Sequence, residues 1–135
     1  MKIAFLTSGG LAPCLSASIA ALLESYEMEN ISADFSGYLN GYQGLLKGKS
    51  YEFPSHITKN VGMLFSFGGS IIGNSRVKLT NAEDCEKRGL ILPGENPLEK
   101  AAKQLMKDEI NILHTIGGDD TNTIAAELSR YLQDI

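Results

Sequence analysis

Apolar residues recur along this chain with two periods, and the alternation between them predicts its architecture. Lys2–Thr7 is a short apolar run, Ile3-Ala4-Phe5-Leu6, before a glycine pair, which predicts a buried strand. Leu15, Ile19, Leu22, Leu23 and Tyr26 then recur at helical spacing, predicting a helix from about Leu15 to Met28. Ile31–Leu39 mixes β-branched, aromatic and small residues, as a second strand would. Gly37, Gly41, Gly44 and Gly48 divide the next region into turns and at most a short helix. Ser50–Phe53 predicts a small strand stopped by Pro54. Val61–Gly73 predicts a short helix or irregular segment feeding a glycine-rich loop.

The second half is patterned more strongly. Asn96-Pro97-Leu98-Glu99 combines an N-cap residue, proline at the first helical position and glutamate at the third. Leu98, Ala101, Ala102, Leu105 and Met106 form the apolar stripe of the helix that follows. Ile110–Ile116 predicts a strand, and Ile124, Leu128, Leu132 and Ile135 repeat a helical stripe. Strands alternating with helices imply an α/β fold: a three-layer, Rossmann-like parallel sheet with right-handed crossovers. Ile19-Ala20-Ala21-Leu22-Leu23 and Ile124-Ala125-Ala126-Glu127-Leu128 share a packing pattern, expected of two similar helices on one sheet. In such sheets ligands bind beyond the carboxyl ends of the strands. The turns Gly9-Gly10 and Gly117-Gly118 are expected at those ends.

A chain of 135 residues fits one domain with a substantial core, and 43% hydrophobic with 21% charged residues is ordinary for a soluble globular protein. A formal charge of −4 argues against nucleic acid or an anionic membrane as partner. The N-terminal apolar run is too short for a signal peptide, and no stretch reaches the ~18 apolar residues of a spanning helix. Cys14 and Cys85, far apart in sequence, make no disulfide framework and fit a reducing, cytoplasmic setting. His56 and His114 lack metal-ligand spacing, which favours structural roles.

The chemistry concentrates in Ile116-Gly117-Gly118-Asp119-Asp120-Thr121-Asn122-Thr123. Glycines allow a sharp turn and bring backbone N–H groups close to an anion. Two carboxylates at the same turn would repel a bare phosphate, so they point to a bridging divalent cation. One aspartate would suffice to cap a helix, and the second asks for another role. Gly68-Gly69-Ser70-Ile71-Ile72-Gly73-Asn74-Ser75-Arg76 adds a second glycine-rich stretch ending in a guanidinium, whose planar donors suit phosphate. Thr7-Ser8-Gly9-Gly10 resembles the S-G-G-x-D-S loop of ATP pyrophosphatases only in part, because Ala12 and Pro13 replace its second half.

Taken in order, Thr7-Ser8-Gly9-Gly10-x-Ala12-Pro13, Gly68-Gly69-Ser70-Ile71-Ile72-Gly73-x-Ser75-Arg76 and Gly117-Gly118-Asp119-Asp120-Thr121-Asn122-Thr123 resemble the motif series of phosphofructokinases. The resemblance spans the whole chain and is greatest to the N-terminal part of the pyrophosphate-dependent branch. It implies phosphoryl transfer from pyrophosphate to fructose 6-phosphate, giving fructose 1,6-bisphosphate, with Mg2+ as cofactor. It implies donor-phosphate contacts at Gly10, Arg76, Gly118 and Thr121, and a metal ligand in Asp119. Asp120 resembles the residue that separates the branches, where ATP-dependent members usually carry glycine. A carboxylate there adds bulk and charge where an ATP α-phosphate needs room, yet leaves space for pyrophosphate.

Leu11 and Cys14 depart from the aspartate and glycine common at their positions. The family's Thr-Ile-Asp-Asn-Asp segment, with its general base, is absent from these residues and is expected after Ile135. The resemblance therefore implies that residues 1–135 form the donor-phosphate-binding part of a longer protein, inactive alone and homo-oligomeric when complete. An ATP-dependent phosphofructokinase and a non-catalytic phosphate- or nucleotide-sensing module are the alternatives.

Overall fold

The computed structural model describes residues 1–8, 15–54 and 72–134. Its described strands are β1 (Lys2–Thr7), β2 (Asp34–Tyr38), β3 (Ser50–Glu52) and β4 (Ile112–Ile116). Its described helices are α1 (Leu15–Met28), α2 (Tyr42–Lys47), α3 (Ala82–Lys87), α4 (Pro97–Lys107) and α5 (Asp119–Gln133). The four strands lie in the order β3-β2-β1-β4. β1 pairs in parallel with both β2 and β4, Phe5 lying between Gly37 and His114. The expected α/β fold with a parallel sheet is the one observed, with one strand reversed.

That reversed strand is β3, which runs antiparallel to β2 with Tyr38 opposite Ser50. Residues 39–49 turn the chain round through the short α2, and Leu39 N–H donates to the Lys49 carbonyl at 3.0 Å. A parallel return needs a crossover of roughly a dozen residues or more that spans the sheet. This connection folds back on itself instead. Gly48 closes α2 in the left-handed region at φ 67°, where a side chain would be strained.

Alternation along β1 divides the core in two. Ile3 and Phe5 meet Ile19, Ala20 and Leu23 of α1 on one face, with Phe53 and Ile72. Ala4 and Leu6 meet α2, α4 and α5 on the other, through Tyr42, Leu45, Ala101, Leu105, Ile124 and Leu128. The two similar helices do share one sheet, and they cover its opposite faces. All four apolar residues of β1 are inaccessible to solvent, each large one contributing roughly 1.5–3 kcal/mol of burial.

Local signals decide the helix ends. Asn96 caps α4, its Oδ1 accepting from Leu98 N–H at 3.0 Å, with Pro97 in the first turn. Glu99 reaches forward to Lys103 at 2.9 Å. Met106, expected in the buried stripe, is 60% exposed, because one residue beyond buried Leu105 the helix has already turned to solvent. Helix α3 was not predicted. Asn81 caps it and Glu83 and Asp84 sit in its first turn, but Cys85 alone is buried, so it carries no apolar stripe.

On the α1 face, His114 stacks on Phe5 with centroids 5.4 Å apart, and its Nε2 shares a 2.7 Å hydrogen bond with the Tyr26 hydroxyl. Burial lowers the His114 pKa from its ordinary 6.5. A histidine that holds its proton less readily when folded leaves stability complete above about pH 6.5 and erodes it as pH falls through that value. Urea unfolding at pH 7.5 and 5.5 is therefore expected to show a larger loss in the wild type than in His114→Gln. Equal losses would refute this role for the imidazole.

Candidate functional site

Three separate segments converge at the carboxyl ends of β1 and β4. The first is the end of β1, where Thr7 and Ser8 are buried and Ser8 N–H donates to the Ile116 carbonyl at 3.0 Å. This bond carries the β1–β4 pairing one residue past the strands. The second is the turn into α5. Gly118 is the N-cap without any side-chain cap, so Asp119 and Asp120 are the first helical residues rather than caps. Their amides belong to the helix end whose N–H groups face outward, a natural place for an anion.

The third is residues 72–79, held on the strand ends by side chains. Thr7 Oγ1 donates to the Gly73 carbonyl at 2.7 Å and Ser8 Oγ to the Ser75 carbonyl at 3.2 Å. Ser75 Oγ donates in turn to the Asn40 carbonyl at 2.7 Å. Val77 and Leu79 are buried while Arg76 and Lys78 are exposed, the alternation of an extended segment.

Between these segments lies a cavity of about 280 Å3 lined by Ser8, Arg76, Val77, Lys78, Asp120, Thr121 and Ile124. Lys78 Nζ stands 3.0 Å from Asp120 Oδ2, the side chains 46% and 75% exposed. Thr121 is buried, and its carbonyl accepts from the buried Tyr42 hydroxyl at 2.9 Å. Burial pushes the Tyr42 pKa strongly upward, so the phenol stays protonated and able to donate. Tyr42 thereby ties the first turn of α5 to α2.

Of the residues singled out from sequence, Arg76, Asp120 and Thr121 line this one cavity, with Gly118 and Asp119 beside them at the start of α5. Gly10 lies outside the described residues, as do Gly68 to Ile71. Lys78 and Tyr42 were missed. Lys78 shares its outward face with Arg76, a signal in the sequence, whereas nothing local marks Tyr42. A second hollow of about 250 Å3, lined in part by Lys2, Asp34, Tyr38, Glu52, Lys107 and Asp108, runs along β2 and β3 beside the end of α4. Its polar groups mix both signs, and it shares no lining residue with the first cavity.

A divalent cation can be tested against the donor set. Among the described residues no group of three or more His, Cys, Asp or Glu side chains is placed to hold a metal. Asp119 offers an exposed carboxylate at the helix start. Magnesium commonly takes one or two carboxylates and completes its shell with phosphate oxygens and water. Asp119 fits that shared mode and not an all-protein cage.

The family model described as "Phosphofructokinase" matches residues 2–135. The pyrophosphate–fructose 6-phosphate 1-phosphotransferase of Methylomonas methanica is 56% identical over 97% of this chain and 32% of its own length. An ATP-dependent 6-phosphofructokinase of Thermotoga neapolitana is 36% identical over 90% of this chain and 33% of its own. The structure of Pichia pastoris phosphofructokinase in the T-state superposes with a TM-score of 0.74 at 26% identity, covering 96% of this chain and 12% of that one. The chain thus spans about a third of the length of the curated relatives it matches.

Gly117 shows how tightly the first and third motifs meet. A Cβ there would lie 2.5 Å from the Ser8 carbonyl oxygen and 2.6 Å from Thr121 Oγ1, whereas one at Gly118 would meet nothing within 4 Å. Gly117→Ala is expected to cost about 1–3 kcal/mol in thermal or urea unfolding, and Gly118→Ala clearly less. Equal losses would contradict the packing described.

Proposed function

The chain belongs to the phosphofructokinase family, and on that premise we propose that it supplies the donor-phosphate and magnesium site of a pyrophosphate-dependent enzyme. The reaction is transfer of a phosphoryl group from pyrophosphate to the 1-hydroxyl of fructose 6-phosphate. The observation that carries this reading is the meeting of Arg76, Asp120 and Thr121, from two distant segments, on one cavity beside the α5 N-terminus. A diphosphate there has a guanidinium on one side and helix-end amides on the other. Asp119 would hold a magnesium ion, which when bound would supply charge neutralisation at the donor. The residues' work is positioning and electrostatic complementarity, which dominate phosphoryl transfer.

The donor assignment draws on Asp120, whose carboxylate stands in the cavity wall, and on the 56% identity to a relative named for pyrophosphate. Fructose 6-phosphate, a cytoplasmic setting and self-association of the complete protein form part of the same proposal. No helix among the described residues is long and apolar enough to cross a membrane.

Assay of the full-length protein with fructose 6-phosphate should give turnover with pyrophosphate and little with ATP. The 135-residue chain alone should give none. Turnover with ATP alone would sink the donor assignment. Because Asp119 provides one carboxylate, magnesium titrated without pyrophosphate should bind weakly, and the two together should bind cooperatively by calorimetry. Asp119→Asn should abolish that cooperativity; tight magnesium binding in the absence of the diphosphate would contradict the shared mode.

A further inference from the structure

The cavity presents a charge problem that Arg76 and the helix end do not solve. A bare Asp120 carboxylate in the wall would repel any phosphate, pyrophosphate included. We infer that Lys78 is a specificity-determining residue of this pocket: its ammonium neutralises Asp120 and donates to the bound diphosphate. The inference rests on the donor-pocket reading above.

Its backbone is held in place from three sides. Val77 and Leu79, on either side, are each 1% exposed, anchoring the segment in the core. The Lys78 carbonyl accepts from Asn81 N–H at 3.1 Å and from the Cys85 thiol at 3.4 Å, which ties it to α3. Burial raises the Cys85 pKa, so the group remains a thiol that can donate. From that base the side chain crosses to Asp120 Oδ2 at 3.0 Å.

Stability does not explain this pair. Both partners are substantially exposed, and ion pairs so placed add little to stability. Its consequence lies in the ligand. A lysine ammonium has three donors, of which Asp120 engages one, leaving others for a phosphate oxygen in the same cavity. Once a ligand displaces water, the charges act through a lower effective dielectric and each counts for more. The neutralised pair is then a wall that tolerates a diphosphate and obstructs a longer donor chain. If Asp120 is replaced by glycine, the wall opens and Lys78 becomes a free cation facing the space an additional phosphate would enter.

Calorimetric titration of the full-length protein with magnesium pyrophosphate and magnesium ATP tests this, with melting curves confirming that each variant folds. Lys78→Gln is expected to weaken pyrophosphate binding about tenfold or more, as for a lost hydrogen bond to a charged group. Lys78→Arg should recover most of the loss. Asp120→Gly should gain ATP binding, and that gain should largely vanish in the Lys78→Gln/Asp120→Gly double variant. A wild type that binds pyrophosphate while Lys78→Gln binds it within twofold overturns the role of Lys78 and leaves the donor reading standing. A wild type that binds no pyrophosphate overturns the donor reading itself, and the inference with it.

Discussion

Parallel pairing of β1 with β4 is the constraint from which the site follows. Two strands running the same way must end at the same edge, so whatever the chain writes after each is delivered to one place. The Ser8 amide on the Ile116 carbonyl, at 3.0 Å, extends this pairing beyond the strands and brings Ser8 against the start of the Gly117-Gly118 turn. Gly117 answers the closeness that results, since a Cβ there would press on the Ser8 carbonyl oxygen at 2.5 Å. Residues 72–79 then close the third side, bound by the hydroxyls of Thr7, Ser8 and Ser75. Each of these bonds satisfies a backbone carbonyl that a connecting segment over a strand end would otherwise leave to solvent.

The two-sided core lets this edge be polar. Apolar residues of β1 bury into α1 on one face and into α2, α4 and α5 on the other, so stability is vested in the sheet and the strand ends are free to carry polar residues. The same arrangement places positive charge locally in a chain whose formal charge is −4. Arg76 and Lys78 project together because the extended segment between the core residues Val77 and Leu79 alternates. The cationic side chains lining the cavity thus come from one alternating stretch, beside the outward-facing amides at the start of α5.

Legibility in the sequence follows the range of the physics involved. The apolar stripe of α1 and the cap of α4 were readable because periodicity, Asn96 and Pro97 act within a turn or two. The Gly-Gly-Asp-Asp turn and the arginine of the second motif stand out locally, as glycine pairs beside carboxylates or a guanidinium, and the structure brings both to one cavity and the helix start beside it. Helix α3 was not, since its stability comes from a cap and i,i+4 pairs such as Arg88–Asp84 with Cys85 alone buried. Nor was the reversed direction of β3, which depends on how residues 39–49 fold back through α2.

By itself the sequence determined the alternating strands and helices, the three motifs and the residue types at their turns, because periodicity and turn chemistry are local. Only the tertiary structure decided that Arg76, Lys78, Asp120 and Thr121 surround one cavity, and that Tyr42 secures the helix beginning there. These residues are far apart in the chain and meet through strand pairing and side-chain bonds across the sheet edge. Such proximity is set by packing between distant segments, which no local pattern encodes.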